Sequence, residues 1–142
     1  ASFYLLDQFR GRWDFVKSLE QFVAAARKYP RITRKLIEDK ANGPAIISAL
    51  KRKVTGIIPI TPKESKEARA NAVTTLWEAR NVYLPPPDRY PWVAQDFIPE
   101  LLAFPSGAHD DTIDAMSQAL TDLNKHSGLH IDPTNLAYLL GR

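Results

Sequence analysis

The sequence predicts an α/β fold in which a mixed sheet is flanked by helices. Short apolar runs alternate with longer segments whose apolar residues recur every three or four positions. The order strand–helix occurs three times, which is typical of α/β domains. The length of 142 residues suits one domain with a substantial core, and an apolar content of 44% indicates a globular protein.

Composition narrows the possible chemistry. The chain has no cysteine, which excludes disulfides and thiolate metal sites, so a bound metal would need oxygen ligands, with or without histidine. The net charge of +3 is compatible with nucleic-acid binding. No apolar run approaches the roughly 20 residues of a membrane span. No secretory signal opens the chain, so we expect no membrane association and a cytoplasmic location.

The first elements are predicted from apolar runs and from turn residues. Residues 2–9 read as a strand that Gly11 ends. The strand has no polar lead-in, so we expect that an upstream portion is missing. Asp14 can cap the next helix, which Tyr29 and Pro30 close.

The second strand, residues 35–40, ends in acidic residues, and Pro44 fits the first turn of the helix that follows. Asp39 is therefore predicted at the carboxyl edge of the sheet, where open α/β sheets bind ligands. Alternatively, Glu38 and Asp39 are merely turn charges. Residues 56–60 and 81–84 read as further strands, and Pro59 places the former near an edge.

The third predicted helix, residues 63–80, carries Lys63, Lys66 and Arg69 in its first turns. Cations at a helix N-terminus oppose the helix dipole, whereas a nucleic-acid phosphate would favour them. The alternative is a solvated face on which Glu64 and Glu67 are their partners.

Residues 104–115 contain the densest group of metal-capable side chains. Asp110 and Asp111 lie where a loop becomes a helix, with His109 before them and Asp114 after them. One Asp would suffice to cap a helix, and a second adjacent carboxylate is unfavourable unless a cation lies close. The pattern suits a site for Mg²⁺ or Mn²⁺ no better than a purely structural explanation, and two such ions roughly 4 Å apart are used for phosphodiester cleavage. The alternative is a capped surface helix with a spare acid.

Four stretches of the sequence resemble one family, the nuclease domain of tailed-bacteriophage terminase large subunits, which has a ribonuclease H-like fold. Residues 37–44 read Ile-Glu-Asp-Lys-Ala-Asn-Gly-Pro, and residues 66–70 read Lys-Glu-Ala-Arg-Ala. Residues 104–115 match Phe-Pro-x-Gly-x-His-Asp-Asp-x-x-Asp-Ala, and residues 6–12 match Leu-Asp-x-x-Arg-Gly-Arg. The resemblance identifies residues 1–125 as a partial terminase-type nuclease domain and leaves residues 126–142 as a C-terminal tail.

The resemblance implies an endonuclease that cuts concatemeric viral double-stranded DNA with two Mg²⁺ or Mn²⁺ ions. It implies Asp39, Asp110 and Asp111 as catalytic metal ligands, Lys63, Lys66 and Arg69 as DNA-binding residues, and His109 and Asp114 as further candidates. The implied partners are a terminase ATPase domain, the small terminase subunit and the portal, in the host cytoplasm.

One feature of the family has no counterpart in this sequence. The family carries a first catalytic Asp on an opening strand that precedes the strand beginning at Phe3, so we expect an N-terminally truncated domain. Asp7 follows a later strand and is a poor substitute. Two other functions therefore stay open: a non-catalytic DNA-binding scaffold of the packaging complex, and another ribonuclease H-like nuclease such as a junction resolvase.

Overall fold

The computed structural model describes residues 1–41 and 43–127, and within them helices and short strands alternate. The prediction of an α/β class is confirmed. In chain order the elements are β1 (Phe3–Tyr4), α1 (Phe15–Lys28), β2 (Lys35–Glu38), α2 (Gly43–Leu50), β3 (Ile57–Ile60), α3 (Lys66–Ala72), α4 (Thr74–Glu78), β4 (Val82–Tyr83), a π-helical turn (Val93–Phe97), α5 (Ile98–Ala103) and α6 (Asp111–His126).

The strands of this region form two separate parallel pairs, β1 with β4 and β2 with β3. One mixed sheet was predicted, and for the described residues that prediction is wrong. The opening strand is also shorter than predicted. The amide of Leu5 donates to the carbonyl of Tyr83 at 2.9 Å, and the Asp7 carboxylate then accepts from the Gln8 amide at 2.8 Å. This local side-chain bond competes with further strand pairing.

The predicted helix over residues 63–80 is two helices, α3 and α4, which meet at Val73. Ser65 caps α3, because its hydroxyl accepts from the amide of Ala68 at 3.2 Å. Val73 is 3% exposed and belongs to the core, and its ψ of 2° departs from the helical value. Burial of this β-branched side chain therefore coincides with the break in the helix.

The carboxyl end of β2 and the start of α2 approach each other closely. A Cβ atom on Gly43 would lie 2.1 Å from the carbonyl oxygen of Glu38, which no real side chain tolerates. Glycine at this position lets α2 begin directly against the acidic end of β2. The motif in residues 37–44 thus has a packing requirement besides any chemical one.

Two apolar clusters form the core of residues 1–41 and 43–127. The first packs α6 against β1, β4 and the π-helical turn, and the second packs α1 against α2. Their buried members are Phe3, Val73, Phe97, Ile113, Met116 and Leu120 in the first and Phe22, Ile46 and Leu50 in the second.

None of the helices in this part of the chain combines the length and apolar character of a membrane span. Of the predicted C-terminal tail, residues 128–142 lie outside the described residues, as does Asn42.

Candidate carboxylate site

The start of α6 is capped by a residue from another helix. Glu100 on α5 is 6% exposed, and its Oε1 accepts from the amides of Thr112 at 2.8 Å and Ile113 at 3.3 Å. Arg10 Nη1 lies 3.0 Å from the other carboxylate oxygen of Glu100. Asp110 occupies the N-cap position but makes no side-chain hydrogen bond to the helix. The capping requirement of α6 therefore does not account for Asp110 or Asp111.

Both of these carboxylates contact one cation instead. Lys66 Nζ, on the first turn of α3, donates to Asp110 Oδ1 at 2.6 Å and to Asp111 Oδ1 at 2.9 Å. Partial burial lowers the pKa of Lys66, but the two hydrogen bonds and charges raise it more, so the pKa lies above its ordinary value. The ammonium keeps two adjacent like charges together at the helix start.

The next turn of each helix carries a more buried ion pair. Arg69 Nε and Nη2 donate to the two oxygens of Asp114 at 2.7 and 2.6 Å, and the side chains are 11% and 5% exposed. Arg69 also donates to the backbone carbonyl of Glu64. The hydrogen bond to Asp114 is the main cause that raises the pKa of Arg69, and the charge of Glu38 adds to it. Two cations, Lys66 and Arg69, thus fix α3 against the start of α6 through three carboxylates.

A cavity of about 320 Å³ opens between β2, β3 and α6, and within the described residues the acids that line it are Glu38, Asp111 and Asp114. Asp39 does not line this cavity. It is exposed, and its amide donates to the carbonyl of Ile60 at 2.7 Å. Neighbouring residues of a strand point to opposite faces, so only one of the two acids at the end of β2 faces α6.

A second, open groove of about 870 Å³ also reaches Asp111. Arg12, Trp13 and His109 line it, and within the described ranges Arg12 and His109 form no hydrogen bond or ion pair. Arg12 and His109 are exposed to solvent. Asp111 lies at the junction of the groove and the cavity, because it lines both.

The structure brings together five of the predicted residues in one network, places His109 in the groove that Asp111 also lines, and leaves Asp39 and Lys63 outside both. Asp110, Asp111, Asp114, Lys66 and Arg69 form one network of charges. Lys63 is exposed, and in the described part of the chain it has no polar partner. The roles predicted for all eight residues stay predictions.

Sequence reasoning missed two acids at this site. Glu100 lies in a segment that was predicted only as a short helix, on the basis of its apolar residues. Its contact with α6 depends on tertiary structure, so the sequence did not point to it. Glu38 was predicted to be structural rather than a ligand. Residues 35–38 read Lys-Leu-Ile-Glu, and Lys35 and Leu36 are both buried, so neither polarity nor burial alternates along β2 in a way that would single out Glu38. The position of Glu38 in the cavity depends on tertiary structure.

The donor set of the site is suited to a hard cation that keeps water ligands. Among residues 1–41 and 43–127, no group of three or more Asp, Glu or His side chains is arranged to hold a metal ion. Two carboxylate oxygens do converge on one ammonium, at 2.6 and 2.9 Å. Mg²⁺ is commonly held by one or two carboxylates together with water and substrate phosphates, so Asp110 and Asp111 fit such an ion.

Comparison with known proteins shows the family. A family model described as the terminase RNaseH-like domain matches residues 3–123. No curated protein and no solved structure matches the chain with significance. Since the family match covers most of the sequence, the chain belongs to the terminase RNaseH-like domain family. The resemblance found in the sequence is confirmed, and with it a nuclease-type domain.

Proposed function

We propose that this chain is the metal-dependent endonuclease domain of a phage DNA-packaging terminase, and that it cuts concatemeric double-stranded DNA in the host cytoplasm. The observation that supports this most is the placement of Asp110 and Asp111. Neither caps α6, and both converge on a single cation. Two adjacent carboxylates that are not needed as helix caps and that already share one cation are suited to hold a hydrolytic metal ion.

The proposed division of tasks follows from the contacts. Asp110 and Asp111 are the metal ligands at the start of α6, and Glu38 or Asp39 adds a carboxylate from the end of β2. A bound pair of Mg²⁺ or Mn²⁺ ions would supply an activated water and would stabilise the leaving oxygen. Arg69 keeps Asp114 neutralised and holds α3 beside the site.

We test this with plasmid digestion in Mn²⁺, in Mg²⁺ and with a chelator. Cleavage is expected to depend on the metal and to fall at least about a hundredfold in Asp110→Asn/Asp111→Asn, because the site loses both charges. Glu38→Gln and Asp39→Asn, run separately, identify the ligand on β2. Asp88→Asn, in an exposed loop, is the matched control. Unchanged cutting by the double variant would contradict the proposal.

Two exposed cations, Lys63 and Arg12, mark the proposed DNA surface. Lys66 and Arg69 were predicted to bind DNA, but both already form ion pairs with carboxylates. Lys63, together with Arg12 in the groove that reaches Asp111, is exposed and has no partner in the described residues. These two positions are better placed to bind phosphate.

The proposed DNA surface is tested by measuring DNA affinity by fluorescence anisotropy. Ca²⁺ is the added ion, because it supports binding. Arg12→Gln is expected to weaken duplex binding several-fold and to reduce the slope of log affinity against log salt by about 1, as for one lost phosphate contact. Arg52→Gln, which removes an exposed cation after α2, should leave the affinity and the slope unchanged. Equal effects of the two variants would indicate nonspecific electrostatics.

A second function has one observation in its favour. In the described residues no three acids are arranged to hold one metal ion, which suits a DNA-binding scaffold of the packaging complex without catalysis. Duplex binding without any cleavage in the digestion would support it. In either case the proposed partners are an ATPase domain, the small terminase subunit and the portal.

A further inference from the structure

We infer that Lys66 occupies the cation position of the Asp110–Asp111 pair and that a divalent cation binds there by displacing it. This rests on the proposed function, because it concerns the same carboxylates. The ammonium lies 2.6 Å from one carboxylate and 2.9 Å from the other. A divalent cation bound by both carboxylates would need the position that Nζ fills.

The surroundings of Lys66 allow this exchange. Its side chain is 37% exposed, so the flexible stem can rotate into solvent without breaking the core. It is the first residue of α3, where the helix dipole opposes a cation, so its contacts are with the carboxylates rather than with its own helix. Arg69 already neutralises Asp114, which leaves the α3–α6 contact intact when Lys66 moves.

Displacement has a consequence for DNA. While Lys66 pairs with Asp110 and Asp111, its charge is not available to a phosphate. Once the cation takes its place, the ammonium is free on the same surface. Cation binding and DNA binding then favour each other, and this coupling is reciprocal.

The test is a calorimetric titration of the DNA-free chain with Mn²⁺. Lys66→Met is expected to bind Mn²⁺ about tenfold more tightly than the wild type, the size of effect that one partly screened competing charge produces. Lys51→Met removes an equal charge from an exposed residue after α2 and should change the affinity less than about twofold. Equal or weaker binding by Lys66→Met would overturn the inference, and so would an equal gain in Lys51→Met.

A measurement on the wild type covers the case in which Lys66→Met does not fold. The ¹³Cε resonance of Lys66 should move on Mg²⁺ addition towards the value of the exposed Lys63. A resonance that stays in place while Mg²⁺ binds would overturn the inference.

These outcomes separate the inference from the proposed function. If the wild type binds Mn²⁺ through Asp110 and Asp111 and cuts DNA, but Lys66→Met shows no gain, only the inference fails. If neither the wild type nor Lys66→Met binds Mn²⁺, both fail.

Discussion

The two cations at the site, Lys66 and Arg69, differ in how readily each can leave its carboxylate partners. Arg69 presents a planar fork that matches both oxygens of Asp114, and both side chains are nearly buried. Removing one partner of such a pair leaves a buried charge, which is strongly unfavourable. Lys66 is a point charge on a flexible stem, shared between two partly exposed carboxylates. The difference in side chain and in burial assigns a structural role to Arg69 and an exchangeable one to Lys66.

At the scale of a single residue, Asp7 makes the stability of the fold depend on pH. Burial raises the pKa of Asp7, but hydrogen bonds from Lys28, Tyr29 and the Gln8 amide outweigh it, so the pKa is lowered overall. A lowered pKa adds stability above the unfolded-state value, about 4, and this stability is lost as the pH falls through the folded-state value. The free energy of unfolding of the wild type should therefore fall more, as the pH is lowered below about 4, than that of Asp7→Asn.

Urea denaturation at a series of pH values makes this comparison. Asp88→Asn, which alters an exposed loop carboxylate, serves as the control and should follow the wild type. Parallel curves for Asp7→Asn and the wild type would show that the Asp7 contacts add no stability.

At the scale of elements, the site depends on where α6 begins. Glu100 accepts from the amides of Thr112 and Ile113 and lies against Arg10, so α5 fixes the first turn of α6. Glu100→Gln should lower the free energy of unfolding by about 1–2 kcal/mol, because a charge-assisted cap becomes a neutral one. It should also weaken Mn²⁺ binding, since the carboxylates are carried on that turn.

Chemical denaturation and the Mn²⁺ titration read these two effects separately. Glu78→Gln, an exposed glutamate on α4, is the matched control for both. Lower stability with unchanged Mn²⁺ affinity would show that the metal ligands do not depend on the cap.

At the scale of the whole molecule, a long-range ion pair connects regions that contain different apolar clusters. Arg34, just before β2, donates to both oxygens of Asp122 on α6, at 2.7 and 2.6 Å. The two residues are separated by 88 positions in the sequence. Since β2 carries Glu38 and α6 carries Asp111, the pair also holds the two sides of the cavity in register.

Arg34→Gln should lower the free energy of unfolding by about 1 kcal/mol, a modest value because solvent screens the partly exposed guanidinium. Hydrogen exchange should speed up more for the amides of β2 and β3 than for those of α6, since α6 keeps its own apolar cluster. Arg52→Gln is the control. Uniform acceleration over all three elements would show that the described region opens as a single unit.

The sequence alone predicted those features that depend on nearby residues. Periodicity located the strands and helices, Asp14 was found as the cap of α1, and the helix that begins at Asp111 was placed correctly. The family followed from motifs, and the match over residues 3–123 confirmed it. The two adjacent carboxylates were recognised as unusual because their repulsion is a local property.

Tertiary structure decided everything that depends on partners distant in sequence. Strand pairing depends on backbone hydrogen bonds, and the side-chain pattern of the sequence does not show which strands will pair. A mixed sheet was therefore predicted, whereas two parallel pairs are found. The cap from Glu100, and the ammonium of Lys66 between Asp110 and Asp111, join residues 12 or more positions apart. Periodicity identifies a helix and its apolar face. The role of a charged side chain, by contrast, depends on the groups that folding brings within hydrogen-bonding distance of it.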